Sequence, residues 1–362
     1  MKRFRSKIIT ISLLATLATA MLFLSACVTK GAEITFSQTR TFALDTLIDI
    51  KVYHYSDQAL AENVLSDSVT LISTLENTLS SHIEGTEVDL INQAAGSGSV
   101  PVSEVTYNVI KNSVEYSQLT GGLFDVTAGP LIALWAISPP DGHVPTDAEL
   151  AEVLPKIDYK KIVLTDDGRI GLEDKGMSIN LGAIAKGTIS DQVKTQLVED
   201  GVKSAIINLG GNVLLIGGKP DGSDFSIGVQ DPADDFGEYL LSINLQDKAV
   251  VSSGDYERYF EANGVRYHHI LNPDIGYPAD TNIAQITIVA DSGEQADGLS
   301  TSVLLLGVKD GLKLIKSLEN VEAVLITKDN YIYITPGLEN TITIYEKQAK
   351  GYTFVTDTSI LY

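Results

Sequence analysis

Between residues 160 and 335, glycine-containing turn pairs cut the chain into apolar runs mostly too short for helices. This cutting limits the possible folds more than any other feature. Asp167-Gly168 separates runs at 161–164 and 170–172, and Asn263-Gly264 separates 256–262 from 265–270. Both pairs favour the two-residue type I′ turn, because their residues tolerate positive φ. Further strand-like runs fall at 204–209, 213–216, 239–245, 283–290, 321–327 and 331–335. Helices are expected at about 183–200, 296–306 and 310–318. Hairpins outnumber strand–helix–strand units, which predicts an α+β fold of mainly antiparallel sheets with packed helices.

The first half reads differently. Phe42, Leu44, Thr46, Ile48, Ile50 and Val52 alternate with Asp45, Asp49 and Lys51, the pattern of one half-buried strand over 42–53. Leu60, Val64, Leu71, Ile72, Leu75 and Leu79 recur at helical spacing. A second helix is expected over 103–119, stopped at Gly121-Gly122 where glycine takes a left-handed cap. Thr146 and Glu149 form a capping-box pair opening a helix to about residue 154.

The N-terminus carries an address. Lys2, Arg3, Arg5 and Lys7 precede an apolar run over 8–24, as in a secretory signal. Leu24-Ser25-Ala26-Cys27 resembles a bacterial lipobox, which implies cleavage before Cys27 and lipid on its sulfur. The expected organisation is a lipoprotein signal peptide over 1–26, a tether from lipidated Cys27 over 27–38, and one domain over 39–362. The protein would then sit outside the cytoplasm, anchored to the cell membrane. Cys27 is the single cysteine, so its use as an anchor excludes disulfides, thiolate catalysis and cysteine-bound zinc. The net charge of −21 disfavours nucleic acid, which needs basic patches.

Four segments carry chemistry. In Gln295–Gly307, Asp297, Ser300 and Thr301 fall at i, i+3 and i+4 of a helix, so their oxygens share a face. A carboxylate and hydroxyls together suit a hard cation such as Mg²⁺. Residues 180–187 (NLGAIAKG) open a helix with small residues and free N–H groups, a setting for anions. Lys186 in its first turn opposes the helix dipole, which points to a phosphate partner; a tight helix–sheet contact with a solvated lysine is the alternative. Residues 208–212 (NLGGN) lack dinucleotide spacing and read as a bulge or turn before a phosphate site. In Thr120–Thr127, Phe124 could support a ring and Asp125 accept from one, or both could serve core and turn. His268 and His269 are adjacent in a strand and face opposite sides, so only one of them can enter a site.

Taken together, the stretches at 120–135, 179–187, 208–212, 253–278 and 296–307 resemble the ApbE family of Mg²⁺-dependent FAD:protein FMN transferases, in family order. The resemblance implies an ApbE-type, T-fold-like flavin transferase domain over 39–362. It implies splitting FAD at its pyrophosphate, joining FMN to a Ser or Thr of an extracytoplasmic redox protein, and releasing AMP. By that resemblance the Ala183 carbonyl, Asp297 and Thr301 hold the metal. Lys186, Asp125, Phe124 and the Leu123 backbone would contact FAD, Leu44 would lie near the flavin, and Ile270 or Leu271 would line the pocket. His269 would assist proton removal from the acceptor. Three positions depart from the family: Leu44-Asp45-Thr46 stands for Met-Gly-Thr, His82 for an aromatic over the flavin, and Asn180 for an aspartate. Two alternatives follow, an FAD pyrophosphatase using water as acceptor and a flavin-binding lipoprotein without chemistry.

Overall fold

A computed structural model describes residues 35–54, 58–137, 142–234 and 237–356. The signal segment and Cys27 lie outside the described residues. Nine strands form the main sheet: β1 (Thr35–Ala43), β2 (Thr46–His54), β3 (Ala205–Leu209), β4 (Asn212–Ile216), β5 (Ala249–Gly254), β6 (Ile283–Ala290), β7 (Glu322–Thr327), β8 (Tyr331–Ile334) and β9 (Thr353–Val355). They lie side by side in chain order. Pairings from β2 to β8 are antiparallel, and only β8 with β9 is parallel. The α+β, mainly antiparallel expectation holds.

Seven described helices accompany the sheet: α1 (Gln58–Leu79), α2 (Glu87–Gln93), α3 (Glu104–Leu119), α4 (Gly129–Trp135), α5 (Asp147–Val153), α6 (Ala185–Glu199) and α7 (Gly293–Ser317). Strand alternation divides the burial between two faces. Ala249 and Val251 of β5 join the core under α1, α6 and α7. Val250, between them, faces a second core with Leu240, Leu241 and Ile243 from a small three-stranded sheet. The large sheet is therefore covered on both sides, by helices on one and strands on the other. A satellite cluster of Leu131, Trp135, Leu150 and Leu271 sits apart from both, pinned by Trp135 Nε1 donating to the Gly276 carbonyl at 2.7 Å.

Four sequence expectations change. The tether does not reach residue 38, because Thr35 already begins β1. The single strand over 42–53 is a hairpin, turning at Leu44 (φ 54°) and Asp45 (φ 56°), both left-handed as a type I′ turn demands. Asn263 (φ 54°) and Gly264 (φ 76°) do form a type I′ turn, but at Asp167-Gly168 only the glycine has positive φ, so that turn is of another type. The two helices expected at 296–306 and 310–318 are one element, α7, broken at Gly307 (φ 79°, ψ 176°).

Candidate functional site

The candidate site is built where the first turns of α6 and α7 cross. Gly187 of α6 and Gly293 of α7 allow the crossing: a Cβ at Gly187 would lie 2.3 Å from the Gly293 carbonyl oxygen and 2.7 Å from Asp297 Cβ. At that contact the Gly187 N–H donates to Asp297 Oδ2 at 2.8 Å. Gly187 is the third residue of α6 after the Ile184 N-cap, so its N–H is one of the donors a helix leaves without an internal carbonyl. The carbonyl of Ala183, just before that cap, accepts no hydrogen bond among the described residues. The Thr301 hydroxyl, one turn beyond Asp297, is likewise without a partner among them, and Asp297 itself is buried. Ser300 is spent elsewhere: its hydroxyl donates to the Asp297 carbonyl at 2.8 Å and meets Ser253 Oγ at 2.8 Å.

These oxygens fit a hard cation. A buried carboxylate with one oxygen unused, a bare carbonyl and a free hydroxyl are oxygen donors only, which suits Mg²⁺ rather than zinc. Among the described residues no three His, Cys, Asp or Glu side chains gather to hold a metal. A cation held here would draw the carbonyl and the hydroxyl into its donor set.

Anion-accepting groups stand at the head of α6 but not of α7. In α7 the N–H groups of Gly293 and Glu294 donate to Asp191 at 2.7 and 2.9 Å. Gln295 N–H donates to Ser292 Oγ at 3.0 Å and Ala296 N–H makes the first helical bond, to the Ser292 carbonyl at 3.2 Å, so the three orphan donors of the first turn are satisfied. In α6 the Lys186 N–H has no partner among the described residues, and neither has its ammonium.

The histidines separate as expected from a strand. His268 is buried, its Nε2 donating to the Ala279 carbonyl at 3.1 Å and its Nδ1 accepting from Ile270 N–H at 3.4 Å. Burial lowers its pKa. His269 is only half-buried, and the Arg258 carbonyl accepts both its backbone N–H at 3.1 Å and its Nδ1–H at 3.2 Å. That bond leaves the Nε2 lone pair free. The enclosed setting pulls the His269 pKa down to about 4, the Arg258 carbonyl opposes this, and the charges of Arg258 and Lys186 add to it. Glu257, which the sequence did not single out, is accessible but walled in. Desolvation raises its carboxyl, Lys186 pulls it back and Asp297 pushes it further.

The remaining predicted residues divide between segments that hydrogen bonds tie together and side chains buried elsewhere. Asn180 N–H donates to the Val126 carbonyl at 2.8 Å, laying residues 180–187 beside 123–126. Asn180 Nδ2 meets Ser81 Oγ at 3.0 Å and His82 Nε2 at 3.5 Å, so two of the departures from the family touch each other. Leu44 N–H donates to Glu76 Oε1 at 2.8 Å, tying the first hairpin to the last turn of α1, just before His82. Leu123 is half-buried. Both Asp125 oxygens are engaged, Oδ1 by Thr127 and Oδ2 by Tyr159 N–H, and burial raises its pKa. The Phe124 ring is 2% exposed and packs against Tyr116 at 5.8 Å, so it offers a ligand no face. Ile270 lies in the main core and Leu271 in the satellite cluster. Both are buried and point to different places.

The fold and the site define an α+β protein that gathers cation- and anion-accepting groups where two helices begin. The chain belongs to the ApbE family, whose model matches residues 44–325. It is 33% identical over 287 residues to the FAD:protein FMN transferase of Klebsiella pneumoniae strain 342, covering 79% of this chain and 87% of that one. It is 29% identical over 317 residues to the FAD:protein FMN transferase of Treponema pallidum strain Nichols, covering 84% and 88%. Among solved structures, the ApbE protein of Thermotoga maritima superposes with a TM-score of 0.78 at 31% identity, covering 85% of this chain and 99% of that one. The flavin transferase ApbE of Vibrio cholerae gives 0.72 at 26%, covering 82% and 94%.

Proposed function

We propose that this chain moves the FMN half of FAD onto a Ser or Thr hydroxyl of an extracytoplasmic acceptor protein, with Mg²⁺ bound and AMP leaving, from a membrane anchor at Cys27. The observation that carries the reading is the Gly187–Asp297 hydrogen bond. It fixes a buried carboxylate at the head of α6, where the Ala183 carbonyl, just before the Ile184 cap, has no donor among the described residues. Ala183, Asp297 and Thr301 would hold the ion, which neutralises pyrophosphate charge when bound.

The chain's own residues supply the rest. Phosphoryl transfer asks mainly for positioning and charge stabilisation. The Lys186 ammonium and its free N–H receive the pyrophosphate and stabilise charge on departing AMP. A bond forms between the acceptor oxygen and the FMN phosphorus, while the bond from that phosphorus to the bridging oxygen breaks and AMP keeps the oxygen. The hydroxyl proton goes to His269 Nε2, whose tautomer is set by the Arg258 carbonyl. The nucleophile belongs to the acceptor, so no activated Ser or Cys is required here.

To test this, the protein is incubated with FAD, Mg²⁺ and a Ser- or Thr-bearing acceptor peptide. Mass spectrometry should show the peptide gaining one FMN moiety, and Asp297→Ala should reduce transfer by at least ~10²-fold with an unchanged circular dichroism spectrum. Undiminished transfer in that variant contradicts the metal assignment. The exposed His82 at the flavin-facing position keeps a hydrolytic reading open, and AMP release without peptide flavin would favour it. Intact FAD after long incubation would favour a simple binding protein.

A further inference from the structure

Helices α6 and α7 cross with a strict register. Gly187 of α6 meets Asp297 of α7 through the 2.8 Å hydrogen bond. One turn along α6 and one turn back along α7, Asp191 meets Gly293 at 2.7 Å and Glu294 at 2.9 Å. Positions four apart share a helix face, so 187 and 191 form one stripe on α6 and 297 and 293 the opposing one on α7. Thr301 continues the α7 stripe, and Ala183, just before the Ile184 cap, leads into α6. Both are half-buried and unpartnered among the described residues, and Asp191 closes the other end of the contact.

Asp191 does more than cap. Its two carboxylate oxygens each take one N–H of α7 while its backbone belongs to α6, so a single side chain fixes both the separation and the rotation of the helices. Glu294 reinforces the contact, accepting from Thr188 Oγ1 of α6 at 2.8 Å and from Asn112 Nδ2 of α3 at 2.6 Å. By contrast Ser292 caps Gln295 N–H at 3.0 Å within its own element and, among the described residues, makes no hydrogen bond to α6.

We propose that Asp191 is a positioning residue for the divalent-ion site, holding the head of α7 against α6 so that the Ala183 carbonyl, Asp297 and Thr301 stand at coordination distance. The inference rests on the metal reading above and adds to it a residue that touches neither ion nor nucleotide.

The test uses the full chain without FAD and Mn²⁺ as the probe, its free-ion resonance followed by electron paramagnetic resonance and displaced by Mg²⁺. Asp191→Asn puts an amide against two backbone donors, and Mn²⁺ affinity should fall about 10–100-fold, as for outer-sphere partners elsewhere. Ser292→Ala loses a cap of the same helix and should leave affinity within about twofold, even though thermal scans show both variants less stable. Asp191→Glu keeps the charge but lengthens the brace, and weakened binding there separates spacing from charge. It also serves as the deciding variant if circular dichroism shows Asp191→Asn unfolded. Wild-type affinity in Asp191→Asn, or in Asp191→Glu where that variant decides, overturns the proposal. An equal loss in Ser292→Ala overturns it too, since fraying would then explain everything. A wild-type chain that binds no Mn²⁺ sinks the metal reading itself, and this brace with it.

Discussion

In the proposed mechanism, the Arg258 carbonyl is what makes His269 available as a base. Because Arg258 holds Nδ1–H, the proton-accepting nitrogen is fixed as Nε2, and because the ring is walled in and flanked by cations its pKa lies at about 4. A base works only unprotonated, so activity should be lost as pH falls through that value. In the free enzyme, the acid limb of kcat/KM for FMN transfer should lie near pH 4 rather than ~6.5, the value for an unperturbed histidine. A bound pyrophosphate brings negative charge that favours the imidazolium, so the limb in kcat should lie higher than the limb in kcat/KM. Short assays from pH 4 to pH 8 separate the two. A kcat/KM limb at ~6.5 would show that the ring is more solvated than this geometry allows, and His269→Ala should cost about 10²–10⁴-fold at neutral pH.

At the scale of elements, the α6–α7 crossing tolerates no side chain at Gly187. Alanine there would gain up to ~1 kcal/mol in helix propensity, but overpacking against the Gly293 carbonyl and Asp297 Cβ costs about 1–3 kcal/mol. The clash wins, so Gly187→Ala should lower the denaturant midpoint and cut FMN transfer more than tenfold, since the helices separate and Asp297 loses its amide. A variant that is stabilised and active would show that the helices can part without consequence. Elements of this kind were readable where their signal was local. The Thr146–Glu149 capping box is present in full, α3 spans Glu104–Leu119 and is followed by Gly121 with positive φ, and Asn263-Gly264 turns as its residues require. The hairpin at Leu44-Asp45 was not readable, because neither residue is a glycine and the turn is held from afar by Glu76 and by Thr46 packed against Gly210. In the site, the types of residue were legible but not their pairing. Gly187 finds Asp297 across 110 residues through a backbone amide, and Asp191, one acid among many, carries no local signal of its bond to α7.

For the whole molecule, the excess of acid opposes compactness. The chain carries 47 acidic against 26 basic residues, and like charges summed over a folded surface repel. Short ion pairs such as Lys194–Asp247 at 2.8 Å and Arg40–Asp49 at 2.8 Å are largely exposed and worth about 0–1 kcal/mol each, too little to cancel that field. Changing pH cannot isolate the repulsion. The raised carboxyls of Asp125, Asp191 and Glu257 hold protons that the unfolded chain has lost, so their contribution to stability falls as pH rises. The depressed His268 and His269 act in reverse: the unfolded chain binds protons first, and stability falls as pH drops below the ordinary histidine range. Salt at fixed pH is the cleaner probe, because it shortens the Debye length to ~8 Å at 0.15 M and screens distant repulsion more than contacting pairs. Raising NaCl from about 0.02 to 0.3 M at pH 8 should therefore raise the melting temperature by a few degrees, read by differential scanning calorimetry. A fall in melting temperature would mean that the contacting pairs outweigh the long-range field.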